Sequence, residues 1–155
     1  MTLSLQELHD RLSAIEPTEE IYAGIDEEEI PALEQLLQFE EAWLASRAAY
    51  ALARVGGARA AEALGKAAED RRPEVRIAVA DSAQHLPREV SDPLVAGLLA
   101  DGNAGVRKFA LRAASDESGS EVRRNIEQMA NEDPLPVIRD EARQRLEQLG
   151  GTSNP

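Results

Sequence analysis

The sequence predicts an all-α fold, a short right-handed α-solenoid of about four helix pairs that is preceded by an N-terminal cap helix. Hydrophobic residues make up 43% of the chain but aromatic residues only 3%, and helices rich in small side chains can pack at close range. In addition, a Val-Arg or Ile-Arg pair recurs at intervals of 31 and 32 residues, ending at Arg76, Arg107 and Arg139. A repeat period of about 20–50 residues is typical of solenoids.

Each of these arginines follows an aspartate by six residues. The three aspartates are Asp70, Asp101 and Asp133. One period before Arg76 stands Ala45, in a segment that keeps the apolar spacing but lacks both the aspartate and the arginine. Because terminal repeats of a solenoid are commonly atypical, this segment is interpreted as the first repeat.

The N-terminal cap helix is predicted over residues 3–15, because leucine and isoleucine recur there at three- and four-residue steps. Pro17 is predicted to end this helix. Residues 1–25 are thus predicted to form an acidic cap helix and connector, and residues 26–150 the repeat domain. Pro31 is expected in the first turn of the next helix, the place in a helix where proline is easily tolerated.

Four helix pairs are predicted within the repeat domain, separated by short linkers rich in glycine, proline or serine. The predicted repeats are residues 26–56, 57–87, 88–118 and 119–150. In each second helix, the positions three and seven residues after the reference position (Ala45 or the repeated arginine) fall on one stripe, which is predicted to face the core. The tail, residues 151–155, is predicted to be frayed.

The charge of the chain is unevenly distributed. The net charge is −12, and residues 1–41 alone carry twelve acidic residues against one arginine, a net charge of −11. This asymmetry indicates either an acidic surface for a basic partner or a solvated end cap of the solenoid. The chain has no cysteine and only two histidines, so neither a metal site nor any other cofactor site is expected.

The N-terminus is not predicted to be a secretory signal, because it has no basic segment followed by an apolar run. No apolar run approaches the roughly 20 residues that a membrane-spanning helix needs. A cytoplasmic protein that does not bind membranes is therefore expected.

The repeats resemble the HEAT-repeat superfamily, in particular the short bacterial HEAT-like repeats of the phycobilisome-lyase type. The resemblance covers roughly residues 26–149 and rests on the turn aspartate, the arginine six residues on, and the second helix rich in alanine and leucine. Each guanidinium can reach the turn aspartate of its own or a neighbouring repeat through charge-assisted hydrogen bonds, which gives both residue types a structural role. The predicted structural ladder comprises Asp70, Arg76, Asp101, Arg107, Asp133 and Arg139.

The resemblance also implies that the second helices line the concave side of the stack. Aromatic, aliphatic and cationic side chains occur together at their non-core positions, a composition typical of interface anchors. The predicted partner-binding residues, here called the second-helix face, are Arg47, Tyr50, Arg54, Ile77, Asp81, Lys108, Phe109 and Arg112. In the alternative interpretation, Ile77 and Phe109 fill contacts between repeats and the arginines pair with nearby carboxylates.

The leading functional hypothesis is a non-catalytic adaptor or scaffold that binds a protein or peptide partner on this face. No catalytic residue is predicted, because the sequence has no nucleophile motif, metal loop or phosphate-binding loop, so the chain is not expected to be an enzyme. The alternative is a bilin-lyase or chaperone-like HEAT protein. Nucleic-acid binding is disfavoured by an isoelectric point near 4.6, and a monomer or weak dimer is expected.

Overall fold

The computed structural model describes residues 2–15 and 18–150, which form helices joined by short turns. In these two ranges there are nine α-helices and no strand, so the prediction of an all-α fold is confirmed. The helices are α1 (Leu5–Leu12), α2 (Ile30–Leu36), α3 (Ala42–Val55), α4 (Gly57–Ala67), α5 (Pro73–Ser82), α6 (Arg88–Leu98), α7 (Ala104–Ala113), α8 (Ser120–Glu132) and α9 (Pro136–Gln148). The predicted helix break at Pro17 and the predicted frayed tail, residues 151–155, lie outside the described residues.

The helices after α1 pack in pairs, α2 with α3, α4 with α5, α6 with α7 and α8 with α9. The second helices of successive pairs also contact one another, so that α3, α5, α7 and α9 lie side by side in chain order. Of the predicted stripe, the positions three residues after the reference, Ala48, Val79, Ala110 and Ala142, are fully buried. At the positions seven residues after it, Leu52, Ala83 and Ala114 are buried and Leu146 is half-buried. Small side chains at the first of these positions allow the close approach of neighbouring helices.

Helix α1 is shorter than predicted. It begins after Ser4, whose hydroxyl accepts a hydrogen bond from the Glu7 amide at 3.1 Å while the Glu7 side chain accepts one from the Ser4 amide at 2.7 Å. Leu8 and Leu12 are fully buried, and α1 contacts both α2 and α3. Helix α1 therefore stands where the second helix of a preceding pair would stand, and it covers the N-terminal end of the stack.

The last pair is polar at positions that are apolar in the inner pairs. Leu64 and Val95 are buried at the position six residues before the turn aspartate, and the exposed Glu127 occupies that position in α8. Four residues after the reference position, Leu111 is buried in α7, whereas Arg143 is exposed in α9. A polar outer side is characteristic of the terminal repeat of a solenoid.

No helix in the described part of the chain is long and apolar enough to cross a lipid bilayer.

Candidate functional site

In the second and third pairs, an arginine ties the turn between the two helices to the turn of the next pair. The guanidinium of Arg76 donates from Nε and Nη2 to the two carboxylate oxygens of Asp101, at 2.8 and 3.0 Å. Its Nη1 donates to the backbone carbonyl of Asp70 in its own pair, at 2.7 Å. One side chain thus connects two successive turns, with a bidentate geometry that only arginine provides.

Arg107 repeats this arrangement in a more buried setting. It donates to both carboxylate oxygens of Asp133, at 2.8 and 3.1 Å, and to the carbonyl of Asp101 at 3.0 Å. Arg107 is 9% exposed and Asp133 5% exposed. The Asp133 carboxylate also accepts the Leu135 amide at 2.9 Å, so the buried charges are both paired and hydrogen-bonded.

The last rung of the ladder is incomplete. Arg139 donates to the carbonyl of Asp133 at 2.6 Å, as the preceding arginines do in their own pairs. Within the ranges 2–15 and 18–150, no carboxylate accepts a hydrogen bond from its other guanidinium nitrogens. The structure therefore brings four of the six predicted ladder residues, Arg76, Asp101, Arg107 and Asp133, into contacts that join pairs. The hydrogen bonds of Asp70 and Arg139 lie within their own pairs.

The first pair lacks the repeated arginine, and Arg72 of the second pair makes the corresponding contacts. It pairs with Asp70 through Nε and Nη2, at 2.9 and 3.0 Å. It also donates to the carbonyls of Phe39 and Leu37, at 2.5 and 2.7 Å, where α2 has ended. Phe39 stands six residues before Ala45, so Arg72 bonds the carbonyl that a first-repeat arginine at position 45 would bond. Arg72 was not predicted from the sequence, because it lies outside the repeat register.

The ladder carboxylates titrate at lower pH than exposed aspartates. Burial by itself raises the pKa of Asp101, but the hydrogen bonds from the Arg76 guanidinium and the Asn103 amide outweigh this effect, and the pKa is lowered. The pKa of Asp133 is lowered in the same way by Arg107 and the Leu135 amide against the effect of burial. Both carboxylates thus favour the folded state in their ionised form.

This lowered pKa leads to an acid-dependent loss of stability. The unfolded chain takes up a proton near the ordinary aspartate pKa of 3.8, whereas folded Asp101 takes it up at lower pH. Its contribution is therefore complete above the unfolded pKa and disappears as the pH falls through the folded pKa. Melting temperatures measured from pH 7 to pH 3 are expected to fall less steeply below about pH 5 for Asp101→Asn than for the wild type. Asp116→Asn, at an exposed carboxylate that forms no ion pair with any described residue, should keep the wild-type slope. An equally flat profile for Asp116→Asn would contradict this role of Asp101.

The N-terminal part of the second-helix face is covered by the chain itself. Arg47 donates through Nη1 to the carbonyls of Leu12, at 2.6 Å, and Ala14, just beyond α1. The Arg47 guanidinium carbon lies 5.2 Å from the centre of the Trp43 ring, which is 49% exposed. Arg47 is therefore engaged with the end of the cap helix.

Arg54 is engaged in a similar way by the connector. Its Nε donates to a carboxylate oxygen of Glu19 at 2.7 Å, and its Nη2 donates to the other oxygen. Its guanidinium carbon also lies 4.1 Å from the centre of the Tyr22 ring. A carboxylate and an aromatic ring from the connector thus both bind this arginine, in an arrangement that the sequence alone did not indicate.

The middle of the second-helix face links neighbouring pairs. The Tyr50 hydroxyl donates to the Asp81 carboxylate at 2.7 Å, joining α3 to α5. Burial, followed by this hydrogen bond, raises the pKa of Tyr50. Lys108 lies 3.5 Å from the carboxylate of Glu141 on α9. These polar residues are therefore held in contacts between second helices.

Ile77 is also in contact with a neighbouring pair. It is half-buried, and a methyl group added to Gly105 would lie 3.2 Å from its Cδ1 atom. Gly105 is the residue that allows this side chain of α5 to approach the backbone of α7. Ile77 thus contributes to packing between pairs, as the alternative interpretation of this face expected.

Arg112 differs from the other cationic residues of the second-helix face. It is exposed and its guanidinium carbon lies 5.5 Å from the centre of the Phe109 ring. In the part of the chain that the structure describes, its side chain forms no hydrogen bond and no ion pair. The Arg112 guanidinium therefore lies against an aromatic ring and has no anionic partner among the described residues.

Arg112 lines an open notch of about 350 Å³ at the C-terminal ends of α5 and α7. The notch is lined by three arginines, Arg88, Arg112 and Arg145, together with polar residues such as Gln84 and Ser115. Arg145 is fixed there, because it donates to the carbonyls of Arg112 and Ala114 at 2.8 and 2.6 Å. Arg112 was predicted from the sequence, whereas Arg145 of α9 and Arg88, which begins the first helix α6, were not.

A cluster of acidic side chains lies before α2. Carboxylate oxygens of Asp26, Glu28 and Glu29 lie within 4.8 Å of one another. Glu29 is 1% exposed, and its carboxylate accepts the amides of Asp26, at 2.7 Å, and Leu3, at 3.2 Å. The Thr2 hydroxyl donates to Glu28. These oxygens fix the start of α2 and its contact with the N-terminal segment, which is a structural role.

Comparison with known proteins identifies the fold. No family model and no curated protein sequence matches this chain. Among solved structures, human deoxyhypusine hydroxylase is 25% identical with a TM-score of 0.65, over 77% of this chain and 43% of that chain. The chain has a HEAT-like repeat fold. It spans less than half the length of the human enzyme.

Two further structures have a similar helical repeat architecture. One chain from the complex of CpcE and CpcF of phycocyanin lyase from a Nostoc species is 19% identical, with a TM-score of 0.60, over 98% of this chain and 67% of that chain. A designed armadillo repeat protein in complex with the peptide (KR)4 is 17% identical, with a TM-score of 0.55, over 94% of this chain and 82% of that chain. At these identities the likeness shows the fold alone.

These likenesses correct the prediction that the chain is not an enzyme. Deoxyhypusine hydroxylase and phycocyanin lyase are enzymes, and both have this HEAT-like architecture. The prediction rested on missing sequence motifs for nucleophiles, metal loops and phosphate-binding loops. Those motifs belong to other folds, so their absence does not exclude catalysis in a HEAT-like repeat protein.

Proposed function

We propose that this HEAT-like protein binds a protein or peptide partner on the part of the second-helix face that its own N-terminal segment leaves open. The observation that carries the proposal is the difference between two arginines of that face. Arg54 binds the Glu19 carboxylate and lies against the Tyr22 ring of the connector. Arg112 lies against the Phe109 ring and binds no anion among the described residues. Arginine and aromatic side chains are the residues that most often dominate binding energy at protein interfaces.

The architecture supports partner binding in general. Side-by-side second helices present their side chains along a rigid strip, which lowers the entropy that must be lost when a partner binds. The armadillo repeat design has a peptide as its partner, and the phycocyanin lyase chain has a second protein chain. Both likenesses are consistent with a partner for this chain, and neither identifies it.

Selection of a random peptide library on the wild-type protein tests this proposal. We expect the selected peptides to bind the double variant Phe109→Leu/Arg112→Ala at least about tenfold more weakly, which corresponds to about 1.4 kcal/mol of binding free energy. Arg124→Ala, at an exposed arginine of α8, is the matched control and should bind as the wild type does. Circular dichroism melts would verify that each variant is folded. Peptides that bind the wild type and the double variant equally would place the site elsewhere and refute the proposal.

A lyase or chaperone-like role is the second candidate. It is favoured by the likeness to a phycocyanin lyase chain over 98% of this chain. Titration with a free bilin, followed by visible absorption, tests this candidate. A saturable spectral change would support it, and an unchanged spectrum would remove it.

A further inference from the structure

We infer that the notch beside Arg112 is a subsite for a carboxylate of an acidic partner segment. This inference rests on the proposed function and specifies the chemistry of the partner. It follows from the chain's own use of arginine on the same face, from the charges around the notch, and from the segment that occupies the neighbouring part of the face.

A contact within the chain shows how an arginine of this face binds a carboxylate. Two arginines near the C-terminal ends of second helices lie against aromatic rings, Arg54 on Tyr22 at 4.1 Å and Arg112 on Phe109 at 5.5 Å. Arg54 additionally binds both oxygens of the Glu19 carboxylate. Among the described residues, Arg112 has the aromatic ring but no carboxylate partner. The group that would complete its environment is therefore a carboxylate, which a planar guanidinium binds with two parallel hydrogen bonds.

The charged residues around the notch also favour an anion. Arg88, Arg112 and Arg145 line it, together with the acidic residues Asp92 and Glu117. Asp92 is occupied, because its carboxylate accepts the Gly119 amide at 2.9 Å and lies 3.6 Å from Arg88. The lining thus has one more positive than negative charge in a chain whose net charge is −12. Such a local excess attracts an anion and fixes its position.

The segment that packs on the neighbouring part of the second-helix face is itself acidic. The stretch of the second-helix face beside Arg54 is already occupied by an acidic segment, the 3-10 turn Glu19–Tyr22. The same face therefore accepts a chain that presents carboxylates to its arginines. A partner segment rich in glutamate or aspartate complements the notch in charge, as the connector complements Arg54.

A fluorescein-labelled octaglutamate peptide is the probe for this inference. Fluorescence anisotropy at about 50 mM salt, where exposed charges interact strongly, measures its dissociation constant. We expect saturable binding that Arg112→Gln weakens about five- to tenfold, and that Arg88→Gln/Arg112→Gln weakens further. Arg124→Gln removes one exposed positive charge outside the notch and should change the dissociation constant less than about twofold.

Four outcomes would overturn the inference. One is no saturable binding of octaglutamate up to about 1 mM, and another is an equal loss of affinity in Arg112→Gln and Arg124→Gln. The third is Arg112-dependent binding of a phosphoserine peptide without binding of octaglutamate. This result would show that the notch binds a phosphate and not a carboxylate. Library peptides that depend on Arg112 but contain no acidic residue would refute the acidic partner and still leave the proposed function standing.

Discussion

Replacing Arg107 by alanine is expected to lower the free energy of unfolding by about 3–5 kcal/mol. The substitution leaves the Asp133 carboxylate, which is 5% exposed, without its bidentate partner, and leaves the carbonyl of Asp101 without its arginine donor. An ionised group that is buried and no longer compensated is among the most destabilising changes in a folded protein. Urea denaturation at pH 7, followed by circular dichroism, measures the effect as a lower midpoint.

The chain provides a matched control for this experiment. Arg139 occupies the same position in the last pair and makes the same carbonyl contact, but it has no carboxylate partner among the described residues. Arg139→Ala should therefore cost only about 0.5–1.5 kcal/mol, the usual net value of one hydrogen bond. If both substitutions lowered the midpoint equally, the bridge from Arg107 to the next pair would not be the source of the stability.

Replacing Arg72 by alanine is expected to have the second largest effect, about 2–4 kcal/mol. The Asp70 carboxylate loses its bidentate partner, and the carbonyls of Leu37 and Phe39 lose their donor. Since these two carbonyls follow α2, the substitution should loosen the first pair. The same urea titration measures the loss.

Arg71 is the control for Arg72, because it is the adjacent arginine and is exposed. Its side chain makes no hydrogen bond or ion pair within the described ranges. Arg71→Ala should leave the free energy of unfolding within about 0.5 kcal/mol of the wild type. A loss as large as that of Arg72→Ala would show that a general reduction of positive charge, rather than the specific contacts, destabilises the protein.

The repeat register explains why the fold could be predicted from the sequence. The recurrence of an aspartate and an arginine at a fixed spacing reflects one contact made several times, so its period reveals the stacking of the pairs. The repeat register does not mark the helix boundaries, because these depend on local caps. The hydroxyl of Ser4 fixes the start of α1, and α7 ends at Ala113, before a polar turn.

The parts that the sequence did not reveal are contacts made only once. Arg72 bonds with Asp70 across two residues and with the carbonyls after α2, and nothing in a periodic pattern marks such a residue. Arg47 and Arg54 belong to a set of arginine and aromatic residues whose composition is typical of a binding surface. In the folded protein, the N-terminal segment contacts both arginines. No pattern in the sequence of the connector indicates where the connector packs.

The direction of the ladder has a consequence for how this protein can change in length. Every inner arginine needs the aspartate of the following pair, while the first pair depends on Arg72 of the second pair. A tandem duplication of residues 88–118 would therefore supply each new arginine with an aspartate. A copy of the first pair placed in the middle would interrupt the series, and a copy of the last pair there would bury Glu127 and Arg143. Duplication of an inner pair is therefore compatible with the ladder contacts, whereas a copy of the first or last pair in the interior is not.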